Sequence, residues 1–143
     1  MKEVLKYANC FVCGDKNKSG LQAKFYYDGE KAFTEIAALE SFEGYKGIFH
    51  GGVISSLLDE VMIKAILADD IFAVTAEMTV KYIQPVKVDT KLKIEGYVTK
   101  GKGRIFFTEG KVIDTAGNVY ATATGKYIKA NDELKAQLMK SKD

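Results

Sequence analysis

His50-Gly51-Gly52-Val53-Ile54-Ser55-Ser56-Leu57-Leu58-Asp59-Glu60 joins a glycine-rich loop to the start of a helix. From Val53 onward the apolar residues Ile54, Leu57, Leu58, Val61, Met62, Ala65 and Ile66 recur at three- and four-residue intervals, which predicts one long core helix over residues 53–68. Its wide apolar stripe fits a helix lying along a sheet rather than on a wet surface. Asp69-Asp70 ends it, and the four glycines between residues 41 and 52 predict an irregular loop before it.

On either side the period changes to two. Residues 74–83 alternate, with Val74, Ala76, Met78, Val80 and Tyr82 apolar against Thr75, Glu77, Thr79 and Lys81, and Pro85 stops the pairing. Runs at 91–100, 104–114 and 119–129 are separated by Gly101-Lys102-Gly103 and Ala116-Gly117-Asn118, which predicts an antiparallel meander. Upstream, 21–27 and 31–37 are joined at Asp28-Gly29, a hairpin signal. Asn131 is a candidate cap for a short helix in the tail, 131–143. The expected fold is α+β, one long helix wrapped by a curved antiparallel sheet of five to six strands, in a single domain over 1–143 with an N-terminal turn in 1–20. Such a sheet leaves edges open, so pairing between copies, a homodimer or homotetramer, is expected.

The chain of 143 residues has 47% hydrophobic and 28% charged residues and a formal charge of +2, values of an ordinary globular domain without the basic stripe of a nucleic-acid binder. No run approaches the roughly 18 apolar residues of a membrane span, and no signal-peptide core follows Met1, so the expected address is the cytoplasm. Cys10 and Cys13 are the only cysteines and His50 the only histidine. A structural zinc site needs four ligands, so no metal is expected, and the cysteines read as small buried residues of an N-terminal turn.

The first-turn N–H groups of a helix lack internal partners and carry partial positive charge, which suits a substrate oxygen that gains negative charge. Glycines permit close approach to that backbone. Asp59 lies about two turns further, four residues after Ser55 and on the face of Gly52. The residues alone leave two readings of it open: a catalytic carboxylate, or a solvent-facing charge beside Glu60, with Glu60 pairing to Lys64. Lys100, Lys102 and Arg104 crowd a turn around Gly103, and a solvated hairpin accounts for them. Tyr45 and Phe49 either line an acyl channel or anchor the loop. No phosphate loop, dinucleotide fingerprint or Ser-His-Asp order is present.

The segment Gly47-Ile48-Phe49-His50-Gly51-Gly52, with Asp59 nine residues after the histidine, resembles the signature of hotdog-fold thioesterases of the phenylacetyl-CoA (PaaI) type. Thr75 to Pro85, Gly103-Arg104 and the strand order are similar too, so the resemblance covers about residues 10–129. It implies hydrolysis of an acyl-CoA without metal or redox cofactor, coenzyme A entering only as part of the substrate. Asp59 is then nucleophile or general base, Gly52 N–H the donor to the thioester carbonyl with Gly51 beside it, and His50 a shaper of the loop. Thr75 orients the attacking water from across a subunit interface, and Lys100, Lys102, Gly103 and Arg104 hold the phosphates of CoA. Relatives carry Asn or Gln six residues before the histidine, where this chain has Gly44. A non-catalytic acyl-CoA binding module and a hotdog hydratase or dehydratase are the rival readings; the Gly-Gly helix start with Asp59 fits thioesterases better.

Overall fold

The computed structural model describes residues 1–143. Seven strands form one antiparallel sheet: β1 Lys2–Glu3, β2 Tyr26–Tyr27, β3 Ala32–Ala37, β4 Ala73–Tyr82, β5 Lys91–Lys102, β6 Ile105–Asp114 and β7 Val119–Lys129, in the order β1-β2-β3-β5-β6-β7-β4. The main helix α1 spans Gly51–Leu67, and a short α2 covers Asp132–Met139. Asn131 caps α2 by accepting the Leu134 N–H at 2.8 Å. No helix is long and apolar enough to cross a membrane.

The sheet exceeds the expected five to six strands because of β1 and β2, two residues each. The run 21–27 also departs from its reading as a hairpin arm. Only Tyr26 and Tyr27 pair with β3, while Leu21 and Ala23 donate to Phe11 and Val12 carbonyls and Phe25 accepts from Val4. Gln22 has φ of 51°, a left-handed residue that breaks the extended run. Leu21, Ala23 and Phe25 still alternate inward, so their burial is that of a strand although their backbone partners are the N-terminal segment. The basic turn also shifts: β5 runs on through Lys102, and Gly103-Arg104 makes the reversal with Gly103 at φ 61°.

Leu57, Leu58, Val61, Met62 and Ile66 of α1 pack with Ile94, Val112, Ala121, Ala123 and Tyr127 of the sheet in one buried cluster. Each such side chain contributes about 1.5–3 kcal/mol of burial. The helix sits close because Gly96, Gly110 and Ala123 form one cross-strand row of small residues. A Cβ on Gly96 would stand 3.0 Å from Val61 Cγ1, and one on Gly110 3.3 Å from Leu58 Cδ2. This close seating fixes the height of Asp59 above β4 and β7.

Candidate active site

The loop before α1 is held at several points. Glu43 Oε2 accepts the Gly47 N–H at 2.9 Å, Phe49 N–H donates to Val86 O at 2.8 Å, and His50 N–H donates to Phe42 O at 2.9 Å. Phe49 is 2% exposed and packs within the core, whereas Tyr45 is 84% exposed. His50 is the N-cap of α1, its Nδ1 accepting the Gly52 N–H at 2.8 Å. That bond engages the donor expected for the substrate. The Gly51 N–H has no protein acceptor, so the free donor at the helix start is one residue earlier than expected. The absence of a side chain at position 44 also has a local reason, since a Cβ on Gly44 would lie 3.3 Å from His50 Cδ2.

Asp59 is half-buried and receives two hydrogen bonds on one oxygen. Thr75 Oγ1 and Tyr127 Oη each donate to Oδ1 at 2.8 Å, and Tyr127 Oη also reaches the Asp59 carbonyl at 3.2 Å. Oδ2 has no protein partner. Thr75 and Tyr127 are directly opposed on β4 and β7, next to a register shift between Thr75 and Glu77. A bulge of this kind re-aims a side chain. The resemblance places the Thr75 hydroxyl across a subunit interface; here it reaches Asp59 of its own chain. Burial and the Asp59 charge push the Tyr127 phenol well up, which keeps it a proton donor.

Tyr82, at the end of β4, closes the other side. Its Oη donates to Gly51 O at 2.9 Å and meets Ser55 Oγ. A Cβ on Gly51 would stand 3.4 Å from the Tyr82 ring. By sequence Tyr82 falls on the apolar face of a strand and Tyr127 within the run 119–129, and neither is given a part in the site. The basic turn lies in the cross-strand row Gly101–Phe106–Tyr127–Thr75, three strand spacings or about 14 Å from Thr75. Lys100 Nζ rests over the Phe107 ring at 5.9 Å, and the Arg104 guanidinium donates to Lys129 O at 2.7 Å, so Lys102 is the cation of this turn least tied to the protein.

The sequence profile of the thioesterase superfamily matches residues 46–121, from the loop ahead of His50 into β7. The chain belongs to the thioesterase superfamily. A solved thioesterase superfamily protein, 20% identical, superposes over 90% of this chain and 67% of its own with a TM-score of 0.78. The hypothetical thioesterase of Streptococcus pneumoniae, solved with coenzyme A, is 17% identical over 76% of this chain and 89% of its own at 0.72. The Escherichia coli PaaI protein of the phenylacetic acid degradation operon is 17% identical over 71% and 73% at 0.67. These likenesses establish the hotdog thioesterase fold. No curated protein matches the chain.

The next residue of α1 in this thioesterase superfamily chain corrects another expectation. Glu60 does pair with Lys64, at 3.6 Å, but neither faces solvent: the N-terminal segment covers this side of α1, and Lys64 is 0% exposed. Burial pushes the Glu60 carboxyl up to about 7, against the attraction of Lys64. A carboxyl with a raised folded-state value contributes stability that is full below its unfolded value of 4.5 and lost as pH rises through about 7. Glu60→Gln cannot ionise, so it is expected to gain on the wild type with rising pH, by up to roughly 3 kcal/mol above neutrality. Urea denaturation at a series of pH values checks this; a difference independent of pH contradicts it.

Proposed function

We propose that this chain hydrolyses an acyl-CoA thioester to a carboxylate and free CoA, with Asp59 as its catalytic carboxylate. The observation that carries the reading is the carboxylate itself: Oδ1 is fixed by Thr75 and Tyr127, and Oδ2 is left to act on substrate or water. The thioester carbonyl accepts from the free Gly51 N–H at the positive end of α1, where developing oxyanion charge is stabilised. His50 holds Gly52 and thereby sets the helix start, and Tyr82 supports it from β4. Asp59 either attacks the carbonyl carbon, giving an acyl–Asp59 anhydride that water then cleaves to the carboxylate, or takes a proton from the attacking water; in both routes the C–S bond breaks and CoA leaves as the thiolate and is protonated. Two relatives lend support: the streptococcal protein was solved with coenzyme A and also as single variants with an aspartate or a threonine replaced by alanine, and a Streptococcus mutans protein was solved bound to acetyl CoA. Lys102, with Lys100 beside it, is the candidate contact for CoA phosphates.

The test is CoA release from a panel of aromatic and straight-chain acyl-CoAs, read by a thiol reagent and corrected for Cys10 and Cys13. Turnover supports the reading. Tight binding without turnover on every substrate replaces it with a non-catalytic binding module.

The site lies beside an open sheet edge. β4 has ten residues and one unpaired hydrogen-bonding edge, the arrangement that pairs with a second copy. A homodimer or its doubled tetramer is the proposed assembly, and light scattering during gel filtration is expected to give at least twice 15.8 kDa. A monomer mass at micromolar concentration sinks it.

A further inference from the structure

Four reactive groups meet where the N-terminal turn crosses α1. Cys10 Sγ, Cys13 Sγ and a Glu60 carboxylate oxygen all lie within 4.8 Å of one another. Lys64 Nζ stands 3.5 Å from Cys13 Sγ and 3.6 Å from Glu60 Oε2, and it also donates to Leu5 O. The ammonium lies over the Tyr7 ring at 4.9 Å. A divalent metal fits poorly here, because only three ligands are offered and a buried cation already occupies the cluster. The same ammonium suits a thiolate, the nucleophile of disulfide chemistry. Cys10 is half-exposed and donates to Glu60 Oε1 at 3.5 Å, whereas Cys13 is fully buried behind it. The turn is closed by Gly14 N–H donating to Cys10 O at 2.8 Å, with Cys13 N–H donating to Cys10 Sγ at 3.4 Å. The two sulfurs, within 4.8 Å of one another, have to close to about 2.05 Å to bond.

We propose that Cys10 and Cys13 are a redox-active dithiol that exchanges with low-molecular-weight disulfides, Cys10 reacting first and Cys13 closing the ring. Glu60 takes the Cys10 proton. The Cys10 thiolate attacks one sulfur of the reagent, forming a mixed disulfide and expelling one thiolate. The Cys13 thiolate, held beside Lys64, attacks Cys10 Sγ and expels the second. Two electrons pass to the reagent, which leaves as two thiols, and the protein keeps one disulfide. The hydrogen bond from Cys10 and then the Lys64 charge draw the Cys13 thiol down to about 6, so Cys13 is ready as a thiolate to close the ring, while Cys10 is pushed up and has to lose its proton before it can enter.

The whole 143-residue chain, with a chelator present, is equilibrated at neutral pH over a range of oxidised to reduced glutathione ratios, alkylated and weighed intact. The wild type is expected to pass in one step from two alkylated thiols to none, lighter by two hydrogens and retaining no glutathione. Cys13→Ser is expected to trap one glutathione on Cys10, and Cys10→Ser to resist modification. Lys64→Met, checked for folding by its thermal melt, loses the cation that favours the reduced form, so its half-point moves to a ratio lower by about tenfold or more. Several results overturn the proposal: two alkylatable thiols at every ratio, glutathione accumulating on the wild type, an unmoved Lys64→Met half-point, or, in a parallel sample prepared without chelator, stoichiometric zinc that shields both thiols from alkylation.

Discussion

Asp59→Asn is expected to lower kcat for acyl-CoA hydrolysis by about a thousandfold, close to 4 kcal/mol of barrier, with the fold intact. The amide matches the carboxylate in shape. Its oxygen can still accept the Thr75 and Tyr127 hydroxyls at Oδ1, so the buried phenol keeps a partner and β4, β7 and α1 keep their spacing. What changes is the second oxygen: an NH2 group there can neither attack a carbonyl nor take a proton from water. Activity measured as CoA release, with the melting temperature and oligomer mass unchanged, isolates the chemical loss. Turnover within about tenfold of wild type would move the catalytic group elsewhere, since a general base is worth roughly 100- to 10,000-fold. Binding of a non-hydrolysable acyl-CoA analogue should survive, because the contacts proposed for the thioester carbonyl and the phosphates come from Gly51 and Lys102.

The elements legible in the sequence were those whose pattern repeats. Seventeen residues of α1 and the long strands β4 to β7 each carry several periods, so helix and meander could be read directly. A two-residue strand carries none, which is why β1 and β2 were absent from the expected sheet. At 21–25 the alternation of Leu21, Ala23 and Phe25 reported burial correctly and pairing wrongly, because burial is a property of the side chain and pairing depends on a distant backbone. Lys64 shows the same limit from the other side: a lysine on a helix reads as solvent-facing until a segment some 59 residues away folds over it. In the site, Asp59 and the glycine loop were visible as motif, and Thr75 came through resemblance. The free N–H at Gly51 in place of Gly52 depends on the rotamer of His50, and no spacing rule carries that information.

Tyr127→Phe is expected to cut kcat by about 30- to 100-fold with KM nearly unchanged. Tyr127 is a positioning residue: it is 0% exposed, beneath Asp59, and acts through the carboxylate. A hydrogen bond to a charged group is worth about 1.5–3 kcal/mol, and losing it frees Asp59 to rotate away from the thioester. Removing the hydroxyl leaves the ring in place, so the loss in melting temperature should be small beside that of Tyr127→Ala, which empties a core site. Thr75→Val removes the other donor to the same oxygen and is expected to cost less, since Thr75 is exposed and water can replace its hydroxyl. The pair shares one acceptor, so the double variant should fall short of the product of the single losses; residues that act through one group do not add. Strict multiplicativity in that cycle would mean that the two hydroxyls act on different steps. A loss of stability without loss of kcat in Tyr127→Phe would reduce the phenol to a core residue and leave Thr75 as the sole orienting group of Asp59.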